Sequence, residues 1–109
     1  MAEFSGRLSE RVRFEGRDEV RGEAGALTSA WTLRFVRWAS VDVLPRAENA
    51  VLSGETRYGR RRLRLMLRAG AQPTLDMRIL WRGETLAVTG IDADPRDGRL
   101  TVWAEEMIG

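Results

Sequence analysis

The sequence has no cysteine, no histidine and no lysine. Without cysteine there is no disulfide staple, no thiol nucleophile and no thiolate metal ligand. Without histidine the side chain most often used as a base near neutral pH, or as a zinc ligand, is missing. Serine, at positions 5, 9, 29, 40 and 53, has no histidine or lysine to activate it and never stands in a Gly-x-Ser-x-Gly turn. Acyl transfer of the usual kind is therefore excluded. A phosphate loop is missing too, because Gly22-Glu23-Ala24-Gly25 lacks the lysine that should follow. Carboxylates alone would have to hold a metal. Asp92, Asp94 and Asp97 fall close together, but Pro95 interrupts them and no closing glutamate follows, so a solvated turn is the expected reading. No catalytic, cofactor or metal residue is assigned.

Long apolar runs are also missing. Nothing approaches the roughly 20 residues needed to cross a bilayer as a helix. The start, Met1-Ala2-Glu3-Phe4-Ser5-Gly6, has no apolar stretch behind a basic one, so no signal peptide is expected and the chain reads as made in the cytoplasm. A length of 109 residues points to one domain, spanning 1–109, with a thin core.

What is present in quantity is arginine. All 18 basic residues are arginine, against 16 acids. GC-rich codon usage is the plain explanation, and a preference for bidentate contacts the alternative. Their placement is uneven. Residues 1–56 carry eight arginines and nine acids, residues 57–68 six arginines and no acid, and residues 69–109 four arginines and seven acids.

Alternation of apolar and polar residues recurs in short runs, the period of half-buried strands. Leu8, Val12 and Phe14 oppose Arg11, Arg13 and Glu15. Residues 16–28, with three glycines among charges, read as a flexible surface loop. Trp31–Val43 is rich in aromatic and β-branched residues. Arg46–Glu55, behind Pro45, changes period: Ala47, Ala50, Val51 and Gly54 fall on one face of a short helix. Leu63, Leu65 and Leu67 then alternate with Arg62, Arg64, Met66 and Arg68. Met77–Trp81, a turn at Arg82-Gly83, Glu84–Ile91, a turn over Asp94–Gly98, and Arg99–Glu105 complete the chain. The expected fold is all-β: a small barrel of six or seven short strands with one short helix. Its predicted core is Val12, Phe14, Val41, Leu63, Leu65, Leu67, Ile79, Leu86, Val88, Leu100 and Val102.

The arginine stripe of Arg57, Arg60, Arg61, Arg62, Arg64 and Arg68 has three readings. It is a solvated face paired with acids on a neighbouring strand or subunit, a surface toward nucleic-acid phosphates, or half of a head-to-tail contact with the acid-rich C-terminal third of an identical subunit. Only Tyr58 supplies a ring nearby, which argues against a base-stacking surface. A free β-barrel nucleic-acid-binding protein remains the alternative to an assembly subunit.

The order of segments resembles a known family. Gly6-Arg7-Leu8 with Arg11–Phe14, the run Val36-Arg37-Trp38-Ala39-Ser40-Val41, Pro45-Arg46-Ala47-Glu48, Leu63-Arg64-Leu65, Met77–Gly83 and the strand–turn–strand ending from Leu86 to Glu105 are similar to the phage head–tail joining proteins, also called head-completion, neck or stopper proteins. The apolar stretch Asn49-Ala50-Val51-Leu52 departs from the longer polar helices of many relatives. The resemblance implies a β-barrel subunit of a homo-oligomeric ring, a hexamer in the stopper branch, in the neck of a phage or of a gene transfer agent. It implies a portal or adaptor ring above, a tail terminator or tail tube below, packaged double-stranded DNA in the channel, and no membrane. Arg57, Arg60, Arg61 and Arg62 are expected to face DNA or an adjacent ring. The segment bearing Pro45, Arg46, Glu48 and Leu52 is expected to meet a neighbour or the channel.

Overall fold

The computed structural model describes residues 8–22, 25, 27–45, 60–70, 72–94 and 96–107. Six strands make up its regular structure: β1 (Glu10–Arg21), β2 (Leu27–Val43), β3 (Arg62–Arg68), β4 (Arg78–Trp81), β5 (Glu84–Asp94) and β6 (Arg99–Glu106). All pairings are antiparallel, in the order β1-β2-β3-β6-β5-β4, and β4 pairs back onto β1, so the sheet closes on itself. No helix occurs among the described residues, and the expected helix at Arg46–Glu55 lies outside them.

Period-two patterning explains the wall. Along β3 burial alternates, with Leu63, Leu65 and Leu67 fully buried and Arg62, Arg64 and Arg68 exposed. Val12, Phe14, Ile79, Leu86, Val88, Leu100 and Val102 join them inside, as the alternation predicts, and Val41 is partly buried against them. Ala39, Trp81 and Ala104 complete the core. Stacked on the ring of Phe35, at 4.7 Å between centroids, Phe14 is the largest of the fully buried side chains. Burial of this kind contributes roughly 1.5–3 kcal/mol per large apolar side chain.

Turn chemistry sets the registers. Arg82 and Gly83 both take positive φ, 48° and 77°, the conformation a two-residue hairpin between Trp81 and Glu84 demands. Gly98, at φ 63°, closes the β5–β6 turn. That turn starts later than the sequence suggests: β5 runs on to Asp94, so Asp92 and Asp94 are strand residues and only Asp97 sits in the turn. Among the described residues, no group of three or more acids is arranged to hold a metal ion.

The largest correction concerns residues 16–28. The expected loop is instead mostly strand, because β1 continues to Arg21 and β2 begins at Leu27. A bulge sits where the pairing steps from Phe14↔Phe35 to Glu15↔Leu33, leaving Arg34 as the extra residue. Beyond it, Gly16–Arg21 and Leu27–Thr32 pair with each other and form a two-stranded arm. At about 3.3 Å per residue, the 17 residues of β2 span roughly 56 Å, close to the 58 Å longest dimension.

Candidate functional site

At one end of the closed sheet, where β1, β3 and β5 start and β2, β4 and β6 finish, inward-pointing positions turn polar. Nη1 of Arg61 reaches Oε1 of Glu84 at 2.8 Å, and its backbone N–H donates to Oε1 of Glu106 at 3.0 Å. Opposite them, Glu10 accepts from Nε1 of Trp81 at 2.9 Å and lies 2.7 Å from Nε of Arg82. The Arg82 and Trp81 hydrogen bonds hold the Glu10 carboxyl below its usual range. This polar lid satisfies charges that would otherwise face the apolar interior.

The arginine stripe runs along β3, which pairs with β6 on one side and β2 on the other. Its side chains meet acids of the same chain. Arg64 lies 3.3 Å from Asp42 on β2, and Arg60 lies 3.9 Å from Glu105 on β6. Arg62 stands directly across the ladder from Glu105 and stays exposed. Of the predicted residues, the structure therefore brings Arg60, Arg61 and Arg62 together on the β3 side, with Arg61 turned into the polar lid. Pro45 is exposed at the end of β2. Arg46, Glu48, Leu52 and Arg57 lie outside the described residues.

A second basic surface was not legible in the sequence. It occupies the outer face of β1 and β2. Here Arg11 and Arg13 stand opposite Trp38 and Val36, and Arg17 stands opposite Trp31. The Arg11 guanidinium lies 5.7 Å from the Trp38 ring, and that of Arg17 4.7 Å from Trp31, within range of cation–π attraction. Trp38 is 53% exposed and Leu33 47%. None of Arg11, Arg13 and Arg17 has a carboxylate partner among the described residues. The signal for this surface is the arginine at alternate positions 11, 13 and 17, but its aromatic partners come only from the register of β2.

The root of the arm is fixed by a denser cluster. Arg78 on β4 donates through Nε to Oε1 of Glu15 at 2.7 Å, and its guanidinium lies 4.5 Å from the Trp31 ring. Arg34, the bulge residue, grips both oxygens of Asp18, while Oγ1 of Thr32 donates to Oδ2 of Asp18 at 2.7 Å. Those two partners hold the Asp18 carboxyl below its usual range, and Asp18 in turn raises Arg34. Gly16 makes room for this grip, since a β-carbon there would sit 2.4 Å from Nε of Arg34.

Among the described residues, the charged side chains thus group into a lid, a partly neutralised stripe, and an open Arg–Trp wall beside the root of the arm. Known structures share this architecture. Protein SF1141 from Shigella flexneri 2a, solved in solution, superposes with a TM-score of 0.71 at 22% identity, covering 93% of this chain and 94% of its own. A chain from the virion of a native gene transfer agent particle superposes with a TM-score of 0.67 at 20% identity, covering 94% of this chain and 98% of its own. At these identities the likeness is one of fold. No curated protein matches the sequence. The family model for phage head completion proteins matches residues 5–107, nearly the whole sequence, and the chain belongs to that family.

Proposed function

We propose that the chain is a structural ring subunit in the neck of a phage-like particle, where it joins the DNA-filled head to the tail and helps retain packaged DNA. The observation that carries this reading is the family match over residues 5–107. The likeness to a gene transfer agent virion chain over 94% of this one supports it. So does the architecture, a closed β-barrel that presents charged and aromatic side chains on its outer wall.

In this reading the subunit forms a homo-oligomeric ring, a hexamer, with a portal or adaptor ring above, a tail terminator or tail tube below, and double-stranded DNA in the channel. Arg60 and Arg62 contact DNA or the adjacent ring. Glu105 beside Arg60, Glu84 beside Arg61 and Asp42 beside Arg64 temper the positive charge of the stripe, which suits a loose contact past which DNA must slide. Arg57 faces DNA or the adjacent ring with Arg60 and Arg62 in this reading, and the segment with Pro45, Arg46, Glu48 and Leu52 meets a neighbouring subunit or the channel.

Deleting the gene in the producing bacterium tests the reading. Heads that separate from tails and lose their DNA are expected, and particles of normal composition and infectivity would overturn it. For the DNA-facing residues the informative variant is Arg60→Ala with Arg62→Ala. Arg61 is left in place because its side chain also holds Glu84. Normal DNA retention in that double variant would reject the assignment.

A further inference from the structure

We infer that neighbouring subunits meet through the outer β1–β2 face of one copy and the outer β5–β6 face of the next, and not through the β3 stripe. This rests on the ring reading above and names the two surfaces that would build it.

The strand order carries the first half of the argument. In β1-β2-β3-β6-β5-β4, the β1–β2 pair is separated from the β6–β5 pair by β3 on one side and by β4 on the other. The two pairs are opposite walls of the closed sheet. A head-to-tail contact that repeats around a ring needs two different, complementary patches on separate sides of the subunit. The β3 stripe does not offer this, because β3 is hydrogen-bonded directly to β6 and its arginines meet Asp42, Glu84 and Glu105 of their own chain.

Chemistry carries the second half. The β1–β2 wall presents Arg11, Arg13 and Arg17 beside the apolar row Trp38, Val36 and Leu33. Along Leu27–Trp38, β2 has a strand neighbour only on its β1 side among the described residues, so this wall also has an open backbone edge. The β5–β6 wall presents exposed Asp92 and Asp94, with Arg99 across the ladder from Asp94 paired to Asp97, and the Trp103 ring lying over Gly90. Gly90 is held to this by packing: a β-carbon would come within 3.3 Å of Cε3 of Trp103. A central aromatic, apolar patch rimmed by opposite charge is the anatomy of a specific interface, and Trp and Arg are the residues that dominate such contacts. The partner that fits the β1–β2 wall is therefore a second copy of this chain.

Charge reversal with mixing tests the pairing. One variant carries Arg11→Glu and Arg13→Glu, the other Asp92→Arg and Asp94→Arg. All four positions are exposed, so folding, checked by circular dichroism, should survive. In sedimentation of the purified full chain at low salt, each variant alone should associate at least about tenfold more weakly than wild type. An equimolar mixture should regain association, because each remaining contact then joins unlike charges. Three results overturn the inference: a wild-type chain that stays monomeric, a single variant that assembles like wild type, or a mixture that fails to recover. The deletion experiment is independent of it. Tail-less particles on deletion, together with a failed mixture, would leave the neck reading standing and reject these two faces.

Discussion

Replacing Glu15 by Ala probes the shortest join in the closed sheet. Strands β1 and β4 share only the pairs Arg13↔Leu80, Phe14↔Ile79 and Glu15↔Arg78, whereas β3 and β6 share seven. Side chains make up the difference, and Glu15 with Arg78 is the central one. The pair is close, 2.7 Å, and its side chains are 12% and 25% exposed. Exposed ion pairs contribute up to about 1 kcal/mol, whereas removing one partner of a buried pair costs about 3–5 kcal/mol. Mostly shielded but still touching water, this pair falls between, so Glu15→Ala should cost about 2 kcal/mol. For a chain of this length that lowers Tm by about 8 °C. Arg78→Ala should cost about 3 kcal/mol, because the stack on Trp31 goes as well. The double variant should cost less than the sum, with a coupling energy of about 1 kcal/mol. Thermal melts followed by circular dichroism give all four corners of the cycle. Amide exchange at Phe14 and Ile79 should accelerate in both single variants. Additive single effects, or a Tm within about 2 °C of wild type for Glu15→Ala, would refute the claim that this pair fastens β1 to β4.

Further outcomes follow from other sites. Leu65→Ala, at a fully buried position flanked by Val41 and Val102, should lose about 2–5 kcal/mol in chemical denaturation. Gly16→Ala should push Arg34 off Asp18 and cost about 1 kcal/mol, with faster amide exchange confined to the arm. Glu10 and Asp18 both have lowered pKa values in the fold, so their contribution is present above the unfolded values and lost as pH falls through the folded ones. Stability should therefore begin to fall near pH 4.5 for Glu10 and pH 3.8 for Asp18, and an acid titration of Glu10→Gln should lack the first part of that loss.

What the sequence revealed, and what it hid, divides along physical lines. The wall of the closed sheet was legible because one face is buried and the other wet, which writes a period of two into residues such as Leu63 to Arg68. Turns at Arg82-Gly83 and Gly98 were legible because positive φ selects glycine. The arm was not, since a two-stranded ribbon in solvent has no buried face and hence no period to show. Residues 16–21 look like a charged loop, and their order comes from cross-strand partners such as Trp31 and Arg34. Long-range pairing hid the rest. Glu15 and Arg78 stand 63 positions apart, and nothing local to either marks the other. The arginine stripe was visible as a run of charge, but its partial neutralisation depended on knowing that β3 lies between β2 and β6.

The two ends of the closed sheet are chemically unlike. One carries the carboxylate and guanidinium lid of Glu10, Arg61, Glu84 and Glu106, and the other releases the long arm of β1 and β2. A subunit of this kind has a direction, as an arrow does. Any ring made by rotating it about an axis parallel to that direction would have one rim of fixed charges and another of projecting ribbons. Such a ring can be stacked only one way up, so a particle that must place unlike partners above and below could take its orientation from the fold alone.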